Sequence, residues 1–350
     1  MTLQACAIHA AKDLRLIELE RVETLADDAV RVAYGTGGIC GSDIHYYHEG
    51  RVGNFTVKEP LILGHEIAGT VTETGAAITD LAAGTPIAIN PNLPCLDCEN
   101  CLAGRTNLCR DMVFFGSAAV TPHIQGGFRE ELVVPRRQCV ALPDGFDLAI
   151  AAFAEPLAVC LHAVNRAGPL THRSVLVTGC GPIGCLTIQA LRLAGVRHVT
   201  ATDVAAGVLE TAASLGADET IDIARDASRL DAYESGRGHF DAAFECSGNP
   251  LALASCLNAV KPRGTVVQVG MMPPVDTGIP MGRIVSKELS LAGTFRFHDE
   301  FDIAVDALVS GRLDVSSLHS GTFTFDEADA AFAAALDRSR HMKVQLRFAR

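Results

Sequence analysis

Tryptophan is absent from this chain, and aromatic residues make up only 5% of it. A surface that grips nucleic acid by stacking bases needs aromatic platforms, so that class is disfavoured. Positive charge is also scarce: 29 Lys and Arg stand against 41 Asp and Glu, a net charge of −12. Such a balance draws neither a phosphate backbone nor an anionic bilayer. The opening residues, MTLQACAIHA, lack a basic region followed by an apolar run, so no export signal is expected. The most apolar stretch, 148–164, is interrupted by Glu155, Pro156 and His162 and is too short to cross a membrane. Internal repeats and low-complexity tracts are missing. These absences predict no nucleic-acid partner, no membrane and a cytoplasmic location.

What is present describes a globular protein. Hydrophobic residues reach 48% and charged residues 20%, and 350 residues are too many for one ordinary core, so two domains are expected. The chain carries 12 cysteines. Without an export signal, these point to thiols and bound metal and not to a disulfide framework.

The stretch 38–66, GICGSDIHYYHEGRVGNFTVKEPLILGHE, concentrates metal-binding chemistry. Cys40, His45, His65 and Glu66 are ligand types set among glycines, with Ser42 and Asp43 beside Cys40. A thiolate, an imidazole and a carboxylate together make a three-ligand zinc site that leaves one position open for water or substrate. Taken singly, Cys40 could be a small buried hydrophobe and His65 a hydrogen-bonded core histidine. Further on, Cys95, Cys98, Cys101 and Cys109 share a spacing that fits a closed four-thiolate zinc site, whose work is to fold a loop. An iron–sulfur cluster is the competing reading. Glu155 lies in a helix-like apolar segment, where a carboxylate is costly unless paired or near a metal. It is a candidate participant in the first site, the alternative being an acid at a helix start.

Short alternating runs at 14–19, 30–34, 70–73 and 85–89, separated by Gly, Asp and Pro turns, predict a small irregular antiparallel barrel or sandwich. From Ser174 onward the composition changes to strands alternating with helices. Gly179, Gly181, Pro182, Ile183 and Gly184 form a G-x-G-x-x-G turn between an apolar strand and a helix, and the next strand leads into Asp203. This is the arrangement of a dinucleotide site, with phosphate on the helix N-terminus and the acid on the ribose hydroxyls. No Arg or Lys follows between Val204 and Val208 to receive a 2′-phosphate, so NAD is preferred over NADP. Strands at 219–223, 240–246, 265–270 and 289–295 complete a doubly wound, six-stranded parallel sheet. Ser247, Val269, Gly270, Met271, Phe295 and Arg296 fall at later strand ends, where a nicotinamide half would lie. Helices at 299–310 and 326–337 and a short strand at 344–348 close the chain.

With these motifs assembled, the chain resembles the zinc-dependent medium-chain dehydrogenases over its whole length, within their polyol- and sugar-acid-oxidising branch. GICGSDIHYYHEGRVGNF, LGHE, the four-cysteine lobe, FFGSA, AFAEPLAV, GCGPIGC, VQVGM and GTFRF carry the likeness. The resemblance implies a GroES-like, β-barrel-like catalytic domain over 1–152, completed by 297–350, and a Rossmann domain over 153–296. It implies a catalytic zinc at Cys40, His65 and Glu66, with Glu155 as alternate ligand or partner of a zinc-bound water, and a structural zinc in the cysteine lobe. Ser42 and His45 match the proton-carrying hydroxyl and imidazole, while Tyr46, Phe115, Arg296 and Phe297 match substrate-side positions. Phe297 stands where sorbitol-oxidising members carry tyrosine, favouring a different polyol or an acid. An acid's far end would need a cation, which Arg51 or Arg296 could supply. Homodimers and homotetramers are usual among such proteins.

Overall fold

The structure, a computed structural model, describes residues 2–273, 278–338 and 340–348. The chain divides into two compact units. The first comprises Met1–Glu155, Phe301–Gly311 and His319–Arg350; the second comprises Pro156–Glu300 and Arg312–Leu318.

In the first unit the long strands Ala29–Gly38 and Glu66–Thr74 pair antiparallel at the centre of a seven-stranded sheet. Pro86–Ile89 and Cys139–Ala141 extend it on one side, Lys343–Arg347 and His319–Thr324 on the other, and Glu131–Pro135 pairs with Ala29–Gly38 as well. A second sheet holds Asp13–Glu20, Thr2–Ala10 and Leu61–Ile62. Both contribute apolar residues to one core, including Ala5–Ile8, Val30, Val32, Ile67, Phe128, Phe332 and Leu346. The expected irregular antiparallel barrel or sandwich is present, and the structure adds two details. Among the described residues the strand pairings do not close into a ring, and His319–Thr324 runs parallel to Lys343–Arg347. That parallel pair becomes possible because Phe325–Glu327 and the helix Ala328–Leu336 carry the chain back between the two strands.

The second unit follows the sequence expectation closely. Its six strands are all parallel and lie in the order Glu219–Asp222, His198–Asp203, Ser174–Thr178, Phe240–Glu245, Val260–Gln268, Ser290–Gly293. Every residue of Ser174–Thr178 is buried, as expected of a strand covered on both faces. The order reverses beside this strand, and in open α/β sheets ligands bind at that reversal, outside the carboxyl ends. The last strand is shorter than predicted; beyond Gly293 the backbone turns, and Arg296 takes a left-handed φ of 52°. The apolar run Leu148–Arg166 divides into the helices Leu148–Ala151 and Ala154–Arg166, and 72% of its apolar window is buried inside the protein.

Candidate active site and metal centres

The central strand pair builds the first site. Its register sets Gly38 opposite Glu66, so Cys40 and His65, just beyond that pair, meet at one end of the sheet. Cys40 caps the helix Gly41–Glu49, and the Asp43 side chain reaches back to its N–H at 3.0 Å. Glycine at 38 is a requirement of packing, since a Cβ there would lie 1.9 Å from Glu66 Oε2. The result brings one ligand atom each from Cys40, His65 and Glu66 within 4.8 Å of one another.

Two residues behind these three carry roles that the sequence reading did not assign. Asp43, fully buried, accepts N–H groups from Cys40 and Gly64, and its Oδ1 lies 3.8 Å from His65 Nδ1. That ring nitrogen has no hydrogen-bond partner among the described residues. A carboxylate behind a histidine ligand orients the ring and raises its basicity. Lys343 comes from the far end of the chain, 277 positions from Glu66, and its Nζ contacts Glu66 Oε1 at 2.6 Å and Oε2 at 2.8 Å. Both side chains are buried. Burial alone would lower the Lys343 ammonium, but the charges of Glu66, Cys40 and Glu155 outweigh it and hold it above the usual lysine range.

The titration of the donors tests their fit to a metal. Burial pushes the Cys40 thiol up to about 11, the Glu66 charge adding and Lys343 opposing. Burial likewise lifts Glu155 to about 8, opposed by His65 and reinforced by Glu66 and Cys40. Asp43 also rises above the ordinary carboxyl range because of burial. Lys343 faces Glu66, Cys40 and Glu155, and a thiol raised as Cys40 is gives up its proton when a cation binds. Thiolate, imidazole and carboxylate suit zinc. Glu155 stands in the first turn of Ala154–Arg166, 5% exposed, outside the set of three and close enough to feel all of them.

The surrounding residues are less uniform. The Ser42 hydroxyl bonds to the Cys40 side chain, which favours the thiolate. His45 lies on the exposed face of the same helix, its Nδ1 3.2 Å from Glu49. Tyr46 is buried and its hydroxyl accepts the Ala118 N–H at 3.0 Å. Phe115 is buried, while its neighbour Phe114 packs against His65 with ring centroids 5.2 Å apart.

In the cysteine lobe the Sγ atoms of Cys95, Cys98, Cys101 and Cys109 converge, with Cys109 at 3.4 Å and Cys101 at 3.9 Å from Cys95. Tetrahedral zinc with ~2.3 Å bonds would space its sulfurs ~3.8 Å apart, so the set fits that ion. Cys98 begins the short helix Glu99–Leu102, and backbone N–H groups of Arg110 and Cys101 bring its thiol down to about 6. All 12 cysteines are free.

A third cluster was not foreseen. His162 Nδ1 lies 3.0 Å and Asn165 Nδ2 2.9 Å from Glu300 Oε1, while the His298 N–H donates to Oε2 at 2.9 Å. Burial would raise the Glu300 carboxyl, but these bonds and the nearby imidazole bring it down to about 2. With its oxygens taken by three donors, we read Glu300 as a buried hydrogen-bonded lock.

The second unit carries the predicted glycine turn. Gly179 has φ 84°, Gly181 caps the helix Pro182–Leu193, and Pro182 and Ile183 form its first turn. A Cβ on Gly184 would come within 1.8 Å of Gly179 O, so only glycine allows this helix to pack on the turn. Asp203 ends its strand and accepts the Cys180 N–H at 2.7 Å and the Ala205 N–H at 3.0 Å. Gly179, Asp203, Ile223, Ser247 and Leu251 are among the residues lining a cavity of about 290 Å³. Val269 and Gly270 donate their N–H groups to Glu245 O, and Met271 is exposed. Arg296 stacks over the exposed Phe295 ring at 4.8 Å, whereas Phe297 is fully buried.

Sequence profiles of two families match the chain: the alcohol dehydrogenase GroES-like domain over residues 26–144 and the zinc-binding dehydrogenase domain over 182–310. The Escherichia coli L-idonate 5-dehydrogenase (NAD(P)(+)) is 39% identical over 99% of this chain and 98% of its own. An Arabidopsis thaliana sorbitol dehydrogenase is 34% identical over 90% of this chain and 87% of its own. The crystal structure of the E. coli L-idonate enzyme superposes with a TM-score of 0.93 at 38% identity, covering 99% of both chains.

Proposed function

The chain belongs to the zinc-binding medium-chain alcohol dehydrogenases, and on that basis we propose that it oxidises L-idonate to 5-keto-D-gluconate with NAD. It is an oxidoreductase of the alcohol and polyol class. The observation that carries the proposal is the convergence of Cys40, His65 and Glu66, a three-residue donor set backed by Asp43 and Lys343.

Zinc bound there supplies Lewis acidity toward a substrate hydroxyl, and NAD supplies the hydride acceptor. Cys40, His65 and Glu66 hold the metal, Asp43 orients the His65 ring, and Lys343 fixes Glu66. Ser42 would accept the alcohol proton as it gives its own hydroxyl proton to His45, which stands on the exposed side of the same helix and would release a proton to solvent. A water held by Glu155 is the alternative carrier of that proton. In the cofactor unit, Asp203 and the turn from Gly179 to Gly184 take the dinucleotide, and the cysteine lobe holds a second, structural zinc. Arg51, half-exposed with Glu49 at 3.9 Å, is the cation we assign to a substrate carboxylate.

The other reading is a neutral-polyol dehydrogenase acting on sorbitol, xylitol or L-arabinitol, favoured by the sorbitol dehydrogenase relative and the carboxylate-containing donor set. Steady-state rates with NAD and NADP on aldonates and polyols separate the two. We expect kcat/KM for L-idonate at least tenfold above that for sorbitol, a gap of about 1.4 kcal/mol. Equal values would assign the protein to the polyols, and no turnover on either class would end the proposal. The free cysteines fit a reducing cytoplasm. A homodimer or homotetramer is the assembly we infer, readable by sedimentation.

A further inference from the structure

The strand Phe240–Glu245 is apolar and buried from Ala242 to Phe244, and its last residue is a carboxylate with 0% exposure. An ionised carboxylate is costly in such a place, and an apolar residue of similar volume would often serve stability as well or better. Glu245 meets that cost through neutral donors alone among the described residues. Its Oε1 accepts the Ser247 N–H at 2.8 Å and the Ser247 hydroxyl, and its Oε2 accepts the Gly248 N–H at 2.9 Å and Gln268 Nε2 at 2.5 Å. Gln268 Nε2 also donates to Gly270 O at 2.7 Å, and Glu245 O accepts the N–H groups of both Val269 and Gly270 at 2.8 Å.

This one residue therefore ties together two of the turns at the carboxyl ends of the sheet. The turns are packed backbone to backbone. A Cβ on Gly270 would lie 2.2 Å from Gly248 N, one on Gly248 would lie 2.3 Å from Met271 O, and one on Gly179 would lie 2.8 Å from Ser247 N. Ser247 and Gly179 both line the 290 Å³ cavity beside Asp203. Nothing in so tight an arrangement can shift alone.

We propose that Glu245 is a positioning residue for the dinucleotide: through Ser247, Gly248 and Gln268 it sets the shape of the wall on which the cofactor lies. It does not touch the cofactor. The inference rests on the reading that this unit binds NAD. Glu245→Gln conserves volume but turns one acceptor into a donor, which then faces the Gly248 N–H and the Gln268 amide. Gln268→Ala removes the same link from its other end without altering the buried charge.

The test is NADH affinity by fluorescence titration of the zinc-loaded protein, together with KM for NAD and for the alcohol. We expect Glu245→Gln to weaken NADH binding about tenfold or more, with the alcohol KM and zinc content unchanged. Gln268→Ala should weaken it severalfold, and the double variant should lose no more than the worse single, because both changes break one link. NADH binding within twofold of the parent in Glu245→Gln overturns the inference, as do losses that simply multiply in the double variant. If Glu245→Gln does not fold, Gln268→Ala decides alone: unaltered NADH affinity there is fatal. A parent protein that binds neither NADH nor NADPH sinks the reading of the unit and the inference with it.

Discussion

At the scale of single residues, the candidate donors of the first site could be named from the sequence because ligand chemistry is written in residue type. Cys40, His65 and Glu66 are a thiol, an imidazole and a carboxylate before any fold is known. Lys343 is different: its partner is 277 positions away, and only the sheet register brings them to 2.6 Å. Replacing Lys343 with Met would leave Glu66 buried without its cation. We expect a loss on the order of 3 kcal/mol in the free energy of unfolding, measured by urea titration at neutral pH; a change below about 1 kcal/mol would mean the pair contributes little. Asp203 could also be named from the sequence, as a candidate, by its distance after the glycine turn. Asp203→Ala should raise the KM for NAD and ease the use of NADP, since the carboxylate that repels a 2′-phosphate is gone. An unaltered NAD to NADP preference would remove Asp203 from the ribose site.

Elements bring these residues to their positions, and here local spacing was a good guide. The cysteine lobe is a short-range structure, in which the helix Glu99–Leu102 carries Cys101 and begins at Cys98. Cys98→Ser should cost the lobe its ion and its shape, seen as one zinc fewer per chain and a lower Tm, with the glycine turn's NADH binding retained. An unchanged zinc count would contradict the four-thiolate reading. The Glu300 lock ties the helix Ala154–Arg166 to residues 298–300, and nothing local in the sequence announced it, since His162 lies 138 positions away. Because its carboxyl is held at about 2, below its unfolded value, its contribution is complete above about pH 4.5. That contribution fades as the pH falls from there toward 2. The stability gap between the parent and Glu300→Gln should accordingly be on the order of 3 kcal/mol at pH 6 and shrink by pH 4. A gap independent of pH would assign the loss to packing.

For the whole molecule the expectation is two zinc ions per chain with different work. The open site has three protein donors and the closed one four thiolates, so a chelator should strip the first more readily. Progressive chelation followed by elemental analysis should therefore abolish turnover with the first ion lost, while circular dichroism changes only with the second; loss in the reverse order would exchange the roles. Composition and motif spacing alone pointed to two compact units, the six-stranded parallel sheet, the convergence of the four cysteines and the candidate donors of the first site. Each of these depends on contacts within a few turns of chain, or on a period that residue type imposes directly. Tertiary structure alone decided that the first unit's strand pairings, among the described residues, do not close into a ring, that His319–Thr324 lies parallel to Lys343–Arg347, and which partners the buried Asp43, Lys343, Glu245 and Glu300 find. Those outcomes turn on strand register and on which buried charge finds a partner, and a residue's type does not say where distant chain will pass.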